Sequence, residues 1–346
     1  MNGISSRCAA SVSIIAALST LVALEPQSAG GLPRFDPAAH FTRDQQARLR
    51  TGAAVVSVPD SDAGELAMVG AVHTDAAADR LIEWARHSNL LYSKPAVPVG
   101  ARLSKPPRIE DFSGVTLTPS ELESLRKCKP GDCIVKLAAG EMSEIRRAIA
   151  AAGSNWKPAA LDGFRRVLVS RAATFLGKGH AGAPTAHDHD KPVEPGAEFA
   201  RIIQGPERNA VAPLGVDAYL RALPAQRADV ESLLFWWKST ASATRETIFI
   251  MHVAIFNHTE TQDVVIAESQ VYASHYLEAS VTYLLLTGEP PNRYFVYLRR
   301  AKVDALRGLF GGIVRAIVER RVRNDGPRLI IDLKKKIEAG PPPVTR

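Results

Sequence analysis

Cysteine is scarce: three in 346 residues, at positions 8, 128 and 133, which excludes a scaffold built on many disulfides. The short signatures of common chemistries are missing too. There is no G-x-S-x-G elbow, P-loop, H-E-x-x-H pair or dinucleotide-binding glycine fingerprint. That removes the motif-bearing hydrolases and nucleotide enzymes and leaves open only a hydrolase without a recognised motif. No internal repeat occurs. Beyond the first 30 residues no run is long and uncharged enough to span a bilayer. No feature of the chain asks for a cofactor.

What is present begins at the N-terminus. Arg7 precedes an apolar run from Cys8 to Leu24, interrupted by Ser11, Ser13, Ser19 and Thr20 and ended by Glu25 and Pro26. Ser28 and Gly30 are small residues at a spacing that a signal peptidase reads. Residues 1–30 are therefore expected to be a cleaved signal peptide, and the mature chain to be periplasmic or secreted. The rival reading is an uncleaved anchor, for which the run is short, since a spanning helix needs about 20 apolar residues. Cysteine usage fits export. Cys128-Lys129-Pro130-Gly131-Asp132-Cys133 carries strong turn chemistry, because proline presets φ and glycine accepts a positive one. A small-loop disulfide is expected there, worth about 2 kcal/mol. A redox pair would have the two-residue spacing that this segment lacks.

Charge is unevenly placed. From Arg293 to the end there are 14 Lys or Arg and 5 Asp or Glu, a net of +9, whereas the whole chain carries +7. An exported protein has no nucleic acid to meet. The natural partner of such a segment is an anionic membrane surface, and the alternative is a solvated basic helix face.

Punctuation divides the chain. Residues 31–52 read as a mobile lead-in. The stretch 53–117 holds strands at Ala53–Val58 and Ala67–Val72 and a helix capped by Thr74 or Asp75, with Leu81, Ile82, Trp84 and Ala85 along it. The block 118–230 is helical. Thr118-Pro119-Ser120-Glu121 is a helix start, a second helix ends near Gly153, and Pro158 to Leu176 repeats apolar residues at helical spacing. A solvated loop from Gly177 to Gly196 and two short helices, Ala197–Ile203 and Val216–Leu223, complete it. Residues 231–323 change character. Ser232–Lys238, Thr247–Phe256, Val264–Tyr276, Leu277–Leu286 and Arg293–Arg299 are rich in β-branched and aromatic residues, with turns at Asn257-His258-Thr259-Glu260 and Gly288-Glu289-Pro290-Pro291. An antiparallel meander is expected, followed by an amphipathic helix from Val303 to Val322. Its apolar stripe is Val303, Leu306, Leu309, Phe310, Ile313, Val314, Ile317 and Val318. Residues 324–346 read as a basic tail.

Period-two alternation from Val265 to Leu285 puts the odd positions on a buried face and Glu268, Gln270, Ser274, Glu278, Ser280 and Thr282 on the other. So long a strand predicts a bend or bulge near His275 to Glu278, or else a hairpin there, although no Gly, Pro or Asn marks a turn. His275 stands alone among the apolar odd positions. It is either a satisfied core residue or a polar anchor in a ligand cavity, with His252, Ser269 and Tyr283 as companions from the sheet. Phe310 and Gly311 are the companions from the last helix. Gly308, Gly311 and Gly312 in one turn need a reason, since helix-interior glycine costs about 1 kcal/mol; close packing or a hinge over a cavity supplies one. His187 and His189, alternating with Asp188 and Asp190 near His180, are weak metal candidates on a loop whose composition suits solvent.

The order of elements, carried by Ala67–Arg86 and Arg293–Val322, resembles the helix-grip fold of the START-like superfamily. In that fold a curved sheet wraps a C-terminal helix around an apolar cavity. The resemblance implies an α+β fold, a curved antiparallel sheet packed on a long C-terminal helix, with the helical block as an insertion. The chain also resembles an uncharacterised family of bacterial secreted proteins, which brings no activity with it. Three functions follow as expectations: binding a hydrophobic ligand such as a lipid between sheet and helix, an envelope interaction or scaffold role, or hydrolysis. The second predicts a filled core and an exposed apolar patch.

Overall fold

A computed structural model describes residues 36–91, 99–204, 215–239, 245–258, 263–289, 292–308 and 310–342. The expected signal peptide, Leu309, Thr259-Glu260 and Pro290-Pro291 lie outside the described residues.

The lead-in is not loose from residue 36 onward. Helix α1 (Arg43–Arg50) starts on a capping box, with Thr42 Oγ1 accepting from Gln45 and the Gln45 side chain accepting from the Thr42 amide. It buries Leu49 and ties Gln45 Nε2 to the Val56 carbonyl. Strands β1 (Val55–Ser57) and β2 (Glu65–His73) follow. Helices α2 (Ala78–Ala85) and α3 (Ser88–Leu91) come next. Thr74 is not the cap of α2: its hydroxyl accepts from Ala76 and donates to Glu338, and the N-cap is Ala77, without a side-chain bond. After β3 (Gly100–Arg102) comes the helical block: α4 (Pro119–Lys127), α5 (Ala139–Ala152), α6 (Trp156–Lys178), α7 (Pro195–Ile202) and α8 (Val216–Ala222). Here the expected signals operate as read. Thr118 and Glu121 form the capping box of α4, and Gly153 ends α5. The meander is β4 (Val230–Ser239), β5 (Thr247–His258), β6 (Asp263–Ala273), β7 (Leu277–Thr287) and β8 (Tyr294–Val303), and the last helix is α9 (Gly311–Ala339).

The fold is α+β. Eight antiparallel strands form one sheet in the order β1-β2-β8-β7-β6-β5-β4-β3, which does not close. The two edges are three-residue strands, short enough to offer little to a foreign strand. Both faces of the sheet are covered. Leu125, Phe164, Leu168, Phe199 and Tyr219 from the helical block pack on Val265, Ala267, Tyr283 and Leu298. Leu81 and Trp84 of α2, with Ile330, Leu333 and Ile337 of α9, pack on Val253, Ile266, Leu284 and Phe295. The even positions of β6 and β7 are therefore buried as well, not solvated as alternation suggested.

Three expectations need correction. The long strand is two strands, broken at Ser274–Tyr276, where Tyr276 takes φ +63°; Tyr276 turns the chain without a glycine. Register slips leave Val271 and Glu278 as extra residues, so the predicted irregularity falls on Glu278 and a second one precedes the turn. The last helix starts at Gly311, not Val303, and runs to Ala339, so residues 324–339 are helix and not tail. Its buried positions are Gly311, Gly326, Ile330, Leu333 and Ile337. Pro327 sits inside it.

The second half of α9 is seated by two glycines. A Cβ on Gly70 of β2 would lie 2.6 Å from Ile330 Cδ1, and one on Gly326 would lie 3.0 Å from Val56 Cγ2. Trp84 Nε1 donates to the Lys336 carbonyl at 2.7 Å, and Arg315 donates to the carbonyls of Asp62 and Glu65. Ile330→Ala is expected to cost about 2–4 kcal/mol by leaving a cavity. Ile317→Ala, on the same helix but 63% exposed, should cost less than about 0.5 kcal/mol. Urea unfolding checks both, and equal losses would contradict this seat.

Candidate functional site

The sheet residues named as cavity candidates are core. Ser269 Oγ lies 2.9 Å from His180 Nε2 and 3.2 Å from His252 Nδ1, and His252 Nε2 lies 3.0 Å from Ser232 Oγ. One hydroxyl proton serves the two rings, so Ser269 donates to one and accepts from the other. Phe199 stacks on His180, and Phe175 lies against both rings. Burial holds His180 well below the usual imidazole range and takes His252 down to about 3, so both are neutral donors and acceptors in a packed layer. Ser269 has no accessible surface for a substrate to approach. Tyr283, equally buried, donates to Asp217 of α8, and burial pushes its phenol well above the usual value.

His275 is not on a strand face. It sits in the β6–β7 turn with Nδ1 2.7 Å from the Ile134 carbonyl and Nε2 2.8 Å from Glu121 Oε1. Burial would raise the Glu121 carboxyl, but hydrogen bonds from His275 and from the Thr118 backbone and hydroxyl prevail and lower it. The residue that caps α4 thus also pins the turn. Neither Glu268 nor Glu278 makes an acid/base set with His275: Glu268 accepts from Ser88, and Glu278 pairs with Arg307.

The Gly177–Gly196 loop is docked, not free in solvent. Cys128 and Cys133 are bridged, with Cα atoms 4.7 Å apart, and the turn between them pairs with the loop. Gly131 donates to the His187 carbonyl, and Cys133 to that of Asp188. This places Asp188 in a charged cluster. Lys136 Nζ is 2.9 Å from Asp304 and 3.4 Å from Asp188. Asp188, His189 and Asp304 bring ligand atoms within 4.8 Å of one another, the spacing of a cation site. The Lys136 ammonium already supplies the positive charge there. His187 is turned to the Thr185 carbonyl and takes no part. Arg307 adjoins this cluster and carries two carboxylates, Glu198 at 2.7 Å and Glu278 at 2.6 Å. Sequence reading missed Lys136, Asp304, Arg307 and Glu278 as a group, because three segments far apart in the chain supply them.

This cluster fixes the start of α9. Asp304 donates its amide to the Tyr276 carbonyl, Arg307 to that of Asp304, and Gly311 to that of Gly308. Gly311 is the first helical residue, and a Cβ there would meet the Leu306 carbonyl at 2.3 Å; the glycine serves a tight entry and not an interior hinge. Around Gly308 and Gly312 a Cβ would meet nothing within 4 Å, so neither packs on the sheet. What the entry presents is apolar. Phe310 is 71% exposed, Ile313 62% and Ile317 63%. Helical steps of three and four continue that row through Arg320, Asn324, Arg328, Ile331 or Asp332, and Lys335, all exposed. The expected inward stripe of the helix is, in its first half, an outward one.

The six cavity candidates are thus not one site. His252, Ser269 and Tyr283 lie under the helical block, His275 in a turn, Gly311 at the helix entry and Phe310 in solvent. A cleft of about 310 Å³ lies between α1, β1 and α9, lined by Thr42, Gln45, Val56, Arg323 and Pro327 among others. Below Lys136, Gln270 and Glu278 is a void of about 20 Å³, room for one water. Among the described residues no helix is long and apolar enough to cross a membrane. No known protein family, curated protein or solved structure matches this chain.

The Glu278 carboxyl is pushed up to about 7 by burial, aided by Asp304 and Glu198 and opposed by Arg307 and Lys136. Between its ordinary value and 7 the folded chain keeps a proton that the unfolded chain has released. Its contribution to stability is therefore present at low pH and lost as pH rises through that window. Relative to Glu278→Gln, the parent should lose stability from about pH 4.5 to 7. Urea midpoints of the pair at matched pH test this; a difference that does not change with pH would contradict it.

Proposed function

We propose that this chain is a non-enzymatic interaction protein of an oxidising compartment, docking through the outward face of the first half of α9. The observation that carries this reading is the row Phe310, Ile313 and Ile317, exposed beside cations on a helix whose second half is seated in the core. Exposed apolar residues that cluster on one rigid element mark interaction surfaces, whereas scattered ones do not. The interior supports the same reading. Ser269, His180 and His252 are enclosed, with both imidazoles kept uncharged by burial, and the carboxylates Glu65 and Glu278 are paired with arginines. The disulfide and the apolar run at Cys8–Leu24 support export to the periplasm or beyond.

The cleft between α1, β1 and α9 supports a second reading, a small hydrophobic ligand or lipid held at the junction of sheet and last helix. Its volume is at the low end for such ligands. Extraction of lipid from gently purified protein separates the two.

The docking reading makes a direct prediction. Full-length protein expressed in a bacterial envelope should sediment with the envelope fraction. Phe310→Ser, Ile313→Ser and Ile317→Ser together should shift it toward the soluble fraction while leaving the unfolding free energy, from urea titration, within about 0.5 kcal/mol of the parent. Unchanged fractionation with an unchanged midpoint would contradict docking through this face.

A further inference from the structure

From the charge and shape of this face, and resting on the docking reading above, we infer that the partner is an anionic lipid bilayer, engaged by α9 lying in the interface plane. The face has two parts in line. Phe310, Ile313 and Ile317 form an apolar tip about two turns long. Arg320, Arg328 and Lys335 continue the same row, with Arg321 beside them. Asp332, exposed between Arg328 and Lys335, is the one carboxylate on that row, against the cations Arg320, Arg328 and Lys335 and the adjacent Arg321. The other carboxylates of the helix are paired with its own cations: Glu319 with Arg315 and Arg323, Asp325 with Arg321, and Glu338 with Lys334.

An interfacial helix has this anatomy: apolar side chains that reach just below the headgroups and cations that stay at the phosphate level. The inner face of α9 is held by Ile330, Leu333 and Ile337, so the helix meets a surface side-on and not end-on. The entry turn aids contact. Phe310, between Gly308 and Gly312, is 71% exposed. A second copy of the chain is a poorer fit. Parallel pairing sets cation against cation along the row, and antiparallel pairing sets the apolar tip of one chain against the basic end of the other. A flat protein partner would need an acidic strip that begins apolar, whereas an anionic bilayer offers both chemistries everywhere.

The test uses full-length protein and vesicles of phosphatidylethanolamine with phosphatidylglycerol, or of phosphatidylcholine alone, each with brominated acyl chains. The chain's own four tryptophans, at 84, 156, 236 and 237, lie elsewhere in the sequence, so the parent reports only background. Phe310→Trp is expected to be quenched by the anionic vesicles and not by phosphatidylcholine. Arg320→Ala with Arg321→Ala should weaken its partitioning by about fivefold for each charge removed. High salt should release it. Sedimentation with vesicles while Phe310→Trp stays unquenched would overturn the inference, because another segment would then be the contact. A change in Phe310→Trp emission with protein concentration alone would overturn it in favour of a second copy. No quenching, combined with an envelope retention that still depends on Phe310, Ile313 and Ile317, would assign the face to a protein partner: docking would stand and the lipid would fall.

Discussion

Ile330 of α9 enters the sheet at Gly70 of β2, the one position in that strand without a side chain to block it. Gly326 lets the helix approach Val56 one turn earlier. Everything else about α9 follows from this close approach. It commits the second half of the helix to the core, where Leu333 and Ile337 fill the remaining space. It brings Lys336 within reach of Trp84 and Glu338 within reach of Thr74, so α2 and the end of β2 are joined to the same helix. Because a 29-residue helix is about 44 Å long, its first half projects past this seat. There Arg315 reaches back to the β1–β2 connection and Val322 packs on the core, while the opposite face is left to solvent.

The sheet imposes a second constraint. With helices on both faces, polar side chains of β6 and β7 cannot reach water and must find partners inside. Ser269 serves two histidines and Ser280 donates to Gln270; on the neighbouring strands β2 and β8, Glu65 takes Arg300 and Lys302. At the β6–β7 turn the same requirement gathers Glu121, His275, Lys136, Asp304, Arg307 and Glu278 from several elements. These groups look like chemistry when read one at a time along the sequence. Placed together, they join the helical block to the entry of α9.

The meander, the capping box at Thr118 and Glu121, and the Cys128–Cys133 turn were legible in the sequence, because each is set by local chemistry. The burial of both sheet faces was not. Alternation reports polarity, and paired polar residues such as Glu268 with Ser88 look the same in sequence as solvated ones. The bulge at Val271 also moves Tyr272 into the other phase, which no local signal marks. The end of α9 was hidden by Asn324-Asp325-Gly326-Pro327, which reads as a stop because interior proline costs about 3 kcal/mol. Here Gly326 is required by contact with Val56, and the core contacts of Ile330, Leu333 and Ile337 outweigh the proline. As for the candidate site, Phe310 was visible but assigned inward. A stripe of Phe310, Ile313 and Ile317 has the same spacing whether it meets a sheet or a partner, and only the glycine triplet beside it hinted at an unpacked turn.

The central claim is that α9 is one helix with two roles, core from Gly326 onward and free surface before it. Hydrogen exchange of the isolated protein measures this most directly. Amides from Ile330 to Ile337 should exchange only with global unfolding, and those from Ile317 to Arg321 much faster, through local opening. Uniform protection along the helix, or faster exchange in the second half than in the first, would contradict the account.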